Sequence, residues 1–106
     1  MIRKAFVMSV HPQQEAEYVR RHQPIWPELE SALLDHGVKT YSIFLVQESR
    51  QLFAYVEFDD EAQWIALGKT DVCRRWWSHM SELMPVNPDQ SPCSEDLAEV
   101  FHLSRA

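Results

Sequence analysis

Tyr18 and His22 stand four residues apart within the segment YVRRHQPIWPELESALL. On a helix that spacing puts both on one face, a single turn from each other. Pro24 forces Gln23 out of helical geometry, so the helix carrying the pair stops near His22. Pro27 suits the first position of the next helix, where its missing N–H is no loss. A titratable ring is thus held on a rigid element with a phenol beside it, a pairing suited to proton transfer. The helix C-terminus stabilises imidazolium and makes His22 a loaded proton donor near neutral pH, whereas burial among aromatic rings and the nearby Arg20 and Arg21 act the other way. The same position also serves a structural histidine that complements the dipole.

The adjacent Trp76 and Trp77 fall inside an apolar helical stripe. A core role is the default for at least one of them. Neighbouring positions spread over about 100° of helix surface, so one ring can pack inward while the other presents its face to a ligand. Flat indole faces suit the C–H-rich faces of sugars, and the indole N–H can bind a hydroxyl. Tyr41, among strand residues pointing both ways, is a candidate for either core or pocket.

Other chemistries find little support. The 106 residues carry a net charge of −6, and no basic run exceeds the pairs Arg20-Arg21 and Arg74-Arg75, which does not fit nucleic-acid binding. Five histidines are present, but none pair at HxxxH or HExxH spacing, so no metal site is expected. Cys73 and Cys93 lack CxxC spacing and read as two reduced thiols. Two glycines in the whole chain exclude a Gly-rich phosphate cradle. The N-terminus has neither the apolar run nor the cleavage site of a signal peptide, and no stretch is long enough to span a membrane. Residues 1–106 are expected to form one domain.

The elements that must position these residues follow in order. Ile2 to Val10 reads as a strand with Ile2, Phe6, Met8 and Val10 on one face and Ala5 and Val7 on the other. Pro12 is placed to open a helix, with Gln13 to His22 helical. After the proline corner, Leu29, Ala32, Leu33 and His36 recur at helical spacing, and Gly37 ends that helix. Tyr41–Gln47 and Leu52–Phe58 read as a hairpin of two strands. A short helix starts at Asp59-Asp60 and runs through Leu67, carrying Trp64. Thr70 then caps a helix with the stripe Val72, Cys73, Trp76, Trp77, Met80, Leu83 and Met84, stopped by Pro85. PVNPDQSP reads as a stiff surface loop, and Asp96–Leu103 as a closing strand. This α+β order, βαββαβ, is the ferredoxin-like arrangement: a four-stranded antiparallel sheet with helices on one face. Apolar residues on the other face call for a cover, which a second copy supplies.

The segments RRHQPIWPELE, TDVCRRWW and MPVNPDQSP together resemble the L-rhamnose mutarotase family, and the likeness runs nearly end to end. The resemblance implies a small cytoplasmic homodimer of the dimeric α/β-barrel type. It implies interconversion of the α and β anomers of L-rhamnose without a cofactor. It puts the proton donor on His22 and sugar binding on Tyr18, Tyr41, Trp76 and Trp77. Alternative readings are a cofactor-free monooxygenase of the same barrel type and a sugar-binding module without turnover.

Overall fold

The computed structural model describes residues 1–105. Strand β1 (Ile2–Ser9) is followed by helices α1 (Glu15–Arg21) and α2 (Pro27–Asp35), and strands β2 (Val38–Val46) and β3 (Gln51–Phe58) come next. Helices α3 (Glu61–Leu67) and α4 (Asp71–Met80) then lead to β4 (Glu95–Leu97). The strands form one sheet in the order β2-β3-β1-β4, with each neighbouring pair antiparallel. Each helical crossover of the βαββαβ order is thus built as two helices.

Alternation along the central strands decides which face is covered. Phe6 and Met8 of β1 and Leu52, Ala54, Val56 and Phe58 of β3 are buried, and they share one core with Tyr18, Leu29, Val72, Trp76 and Met80 from the helices. The opposite face carries Phe44, Val46, Phe53 and Leu97, with no helix over it. Phe44 is 65% exposed. The sheet is therefore apolar on both sides and clothed on one, as its sequence pattern predicts.

Local chemistry sets the boundaries. Pro27 occupies the first turn of α2 with Trp26 as the preceding cap residue, which fixes the corner between α1 and α2. Gly37 sits at φ +89°, a left-handed conformation that costs glycine least. Its carbonyl accepts from Asp59 N–H at 3.2 Å, joining the end of α2 to the end of β3. The Asp60 side chain accepts from Ala62 N–H at 2.9 Å, and Thr70 Oγ1 from Cys73 N–H at 3.3 Å. These caps start α3 and α4 by satisfying orphan helix donors.

Three expectations need correction. Pro12 does not begin a helix: residues 11–14 form a turn with Gln13 at φ 70°, and α1 starts only at Glu15. The second strand begins at Val38 rather than Tyr41, because a β-bulge between Val38 and Thr40 absorbs the irregular start. The PVNPDQSP loop lies at the surface as expected, and it closes on itself: Val86 bridges to Pro92, and Asn87 N–H donates to Ser91 O at 2.8 Å.

The closing strand is the largest difference, three residues instead of Asp96–Leu103. It pairs with Ala5–Val7 of β1. Continued, the register would set Glu99 beside Arg3 and then run out at the start of β1. Arg3 does hold Glu99 through two hydrogen bonds, of 2.9 and 3.1 Å. Beyond that clasp the chain has nothing of its own to pair with. Val100, Phe101 and Leu103 are 93%, 79% and 80% exposed, and His102 lies outside any strand.

Phe58 is fully buried and stacks on Trp64 with ring centroids 5.0 Å apart and an interplanar angle of 11°. It ties the end of β3 to α3. We expect Phe58→Ala to cost about 3–5 kcal/mol, checked by urea unfolding; a loss below about 1 kcal/mol would show that the core closes without it.

Candidate active site

The helices do not sit flush on the sheet. Between them lies a cavity of about 1010 Å³, at the upper end of ligand-pocket sizes, ~300–1,000 Å³. Tyr18, His22, Tyr41, Trp76 and Trp77 all line it. Residues from α1, its cap, β2 and α4 thus converge on one space, although as much as 59 positions separate them in the chain.

His22 is the C-cap of α1. Its Nδ1 lies 2.8 Å from the carbonyl oxygen of Tyr18. A carbonyl oxygen can only accept, so Nδ1 carries the hydrogen and donates it. Nε2 of the neutral ring is left with its lone pair free. The ring lies 4.5 Å from that of Tyr18 and 5.3 Å, nearly perpendicular, from that of Trp76. Burial lowers the His22 pKa below the usual 6.5, and the hydrogen bond to Tyr18 offsets this only in part. Of the two opposing influences on this ring, desolvation therefore prevails over the helix end, and at neutral pH the imidazole is a proton acceptor at Nε2.

Burial pushes both the Tyr18 and Tyr41 phenols far above their ordinary value, with Tyr18 adding to the rise at Tyr41. Both remain protonated donors across the physiological range. Among the described residues no buried side-chain oxygen or nitrogen lacks a partner. The two phenolic oxygens, which make no side-chain hydrogen bond there, are accordingly open to the cavity. The Cys73 thiol also lines the space. Burial pushes its pKa up to about 11, so it is not a thiolate nucleophile at neutral pH. No group of three or more His, Cys, Asp or Glu among the described residues could hold a metal ion.

The tryptophans differ in setting. Trp76 is 8% exposed and wedged edge-on between His22 and Trp26, whose ring centroid is 5.1 Å away. Trp77 is half-buried and lies across Gly68, where an added Cβ would come within 3.1 Å of its ring. Other residues at and behind the cavity wall add to the site. Trp64 leans on Tyr41 with centroids 6.0 Å apart, and Asn87 and Ser91 of the proline-rich loop reach the rim. Trp26 buttresses Trp76 and takes Arg75 over its own ring at 6.0 Å. Its position between two prolines was the available signal. His79 is exposed, beside Trp26.

An antiparallel β2-β3-β1-β4 sheet with paired helices over one face defines a ferredoxin-like protein with its cavity beneath the helices. The same fold appears in a putative antibiotic biosynthesis monooxygenase from Nitrosomonas europaea, at a TM-score of 0.65 over 95% of this chain and 100% of that one. At 11% identity that likeness speaks to the fold alone. The family is narrower. The L-rhamnose mutarotase family model matches residues 3–103, and the chain belongs to that family. It is 63% identical over 103 residues to an L-rhamnose mutarotase of Opitutus terrae, covering 97% of this chain and 99% of the other. The corresponding protein of Klebsiella pneumoniae is 58% identical over 98% of this chain and 100% of its own. The crystal structure of an L-rhamnose mutarotase from Formosa agariphila superposes with a TM-score of 0.90 at 38% identity, covering 98% of this chain and 100% of that one.

The contrast between the tryptophans gives a test. We expect Trp76→Ala to lose about 3–5 kcal/mol of stability, as buried aromatics do, and Trp77→Ala to melt close to the parent while binding sugar more weakly. Thermal denaturation and calorimetric titration of each variant distinguish this from a pair that serves only as core, in which both variants unfold and whatever folds binds normally.

Proposed function

We propose that this protein is an L-rhamnose mutarotase, an isomerase that interconverts the α and β anomers of L-rhamnose and needs no cofactor. The observation that carries the mechanism is the His22 ring, which lines the cavity with Nδ1 held by the Tyr18 carbonyl and Nε2 left free. The reading takes residues 1–106 as a single mutarotase domain that works as a cytoplasmic homodimer. His22 moves the proton. Tyr18, Tyr41, Trp76 and Trp77 hold the sugar.

The reaction balances without an outside reagent. The anomeric O1–H gives its proton to Nε2, the C1–O5 bond breaks, and C1 becomes an aldehyde. The imidazolium so formed gives a proton to O5, which becomes the C5 hydroxyl. O1 and O5 are both bonded to C1 in the ring form, so one imidazole can serve both in turn. Rotation about C1–C2 and the reverse steps close the ring on the other face. His22 is therefore a proton donor that is loaded by the substrate itself.

Magnitudes say that His22 does not act alone. A barrier of about 22 kcal/mol corresponds to events on the scale of an hour, and useful catalysis removes roughly 8 kcal/mol of it. General acid–base help contributes about 10²–10⁴ in rate, or roughly 3–5 kcal/mol. The remainder falls to groups that stabilise charge on O1 and O5 as the ring opens, and the two neutral, buried phenols are suited to that work. Aromatic faces then grip the sugar body while C1 stays free to turn.

We expect His22→Ala to slow anomer exchange by about 10²–10⁴ in a protein that melts normally, followed by exchange NMR on L-rhamnose. Wild-type exchange in that variant would remove His22 from the mechanism. The pH profile has a fixed sign. Nε2 must be unprotonated to accept, so activity falls on the acid side with a midpoint below 6.5, the ordinary histidine value. Stability follows the same direction: between the folded value and 6.5 the unfolded chain binds more protons, so the contribution of neutral His22 is complete above 6.5 and lost as pH falls through the folded value.

Dimerisation rests on the uncovered sheet face and on the tail that leaves it. Phe44, Val46 and Leu97 on the face, with Val100, Phe101 and Leu103 beyond β4, are exposed apolar groups of the kind a two-fold sheet pairing buries. Phe44→Asp is expected to shift the dimer to monomer at micromolar concentration in sedimentation, with loss of folding cooperativity. A parent protein that sediments as a fully active monomer would refute the pairing.

A further inference from the structure

Lys4 breaks the pattern of its strand. On β1 it occupies the phase of Ile2, Phe6 and Met8, the side that faces the helices, where Phe6 and Met8 belong to the core. Across the sheet Lys4 pairs with Val56, and Val56 pairs with Tyr41. The lysine and the cavity tyrosine therefore stand in one row, two strands apart. Val56 between them is fully buried. A charge on an inward position is costly, and such departures from the local rule concentrate at functional sites.

The partners of Lys4 sharpen the point. Its Nζ lies 3.8 Å from Glu61 Oε1 and 3.9 Å from Asp96 Oδ2. Both separations are too long for hydrogen bonds, which need ~2.7–3.2 Å. The ammonium is thus held by charge from two sides while its N–H donors are not taken up by either carboxylate. Lys4, Glu61 and Asp96 all line the same cavity as His22 and Tyr41. A gap of this width admits a hydroxyl that accepts from Nζ and donates to the facing carboxylate. Two such gaps around one ammonium match two neighbouring hydroxyls of a sugar ring. A purely structural ion pair at these partly exposed positions would contribute little.

We propose that Lys4, flanked by Glu61 and Asp96, binds the substrate sugar through a pair of adjacent hydroxyls and so determines which hydroxyl pattern the enzyme accepts. This deepens the mutarotase reading and rests on it for the identity of the sugar. Lys4 anchors the sugar body by its hydroxyls, and His22 meets O1 and O5 at C1.

The test pairs variants with substrates. Affinities of wild type and Lys4→Met for L-rhamnose and its 2-, 3- and 4-deoxy analogues are measured by calorimetry, with anomer exchange followed separately by NMR. We expect Lys4→Met to bind L-rhamnose about 10- to 100-fold more weakly. At least one deoxy analogue should show a comparable loss in wild type and no further loss in Lys4→Met, since the deleted hydroxyl and the deleted ammonium belong to one contact. Identical deoxy penalties in wild type and variant overturn the proposal, whatever the stability change. Should Lys4→Met not fold, the same comparison is made with Glu61→Gln combined with Asp96→Asn, both on exposed positions, and unchanged penalties there overturn it equally. A wild-type protein that binds the sugars without exchanging their anomers overturns the mutarotase reading and leaves the Lys4 comparison intact. One that binds none of them overturns both.

Discussion

The hydrogen bond from His22 Nδ1 to the Tyr18 carbonyl is the contact on which the site depends. It uses a carbonyl that the end of α1 leaves without a helical partner, so one interaction both caps the helix and fixes the imidazole. The proton on Nδ1 dictates a bare Nε2, and the helix axis dictates where Nε2 points. Were the ring free to rotate, either nitrogen would reach the cavity and neither would be assigned. Packing reinforces the choice: Tyr18 lies against one face of the ring and Trp76 meets it nearly at right angles. Trp76 is itself held by Trp26, which the proline corner positions at the start of α2.

That corner was legible because prolines act locally. The end of α1 near His22, the start of α2 at Pro27 and the positive φ at Gly37 follow from steric rules that need no tertiary partner. The phase of β1 was legible for the same reason, since alternation groups Ile2, Phe6, Met8 and Val10 on one face. The end of the chain was not. Asp96–Leu103 has a strand-like apolar pattern, but a ladder needs a neighbour, and the register with β1 gives out after three pairs. A pattern of side chains states a preference for burial and leaves open what does the burying. The start of α1 failed for a related reason, because Pro12 serves a turn as readily as a helix.

Within the site, residue types were legible and their balance was not. A histidine at a helix end feels a dipole that favours charge and a cavity that disfavours it, and only depth of burial decides between them. Here burial prevails, so the resting ring is neutral. The tryptophans were likewise a pair whose members sequence could separate in principle and not in name. The fold assigns the deeper place to Trp76 through its two aromatic neighbours and leaves Trp77 half-buried over Gly68.

A neutral resting histidine also fits the electrostatics of the enclosure. Proton transfer within an apolar pocket is cheapest when the charge created is transient and shared between nearby partners. A permanently charged donor in the same place would raise the cost of keeping the pocket dry. Of the two lysines that line this space, Lys4 sits near the carboxylates of Glu61 and Asp96, and Lys39 is paired with Asp59 at 3.1 Å. In the proposed reaction the charged groups meet hydroxyls, and the neutral imidazole is where the proton moves twice. The division is set by the sheet, whose inward row carries Lys4, Val56 and Tyr41 in succession, and by α1, which ends where the other half of the chemistry begins.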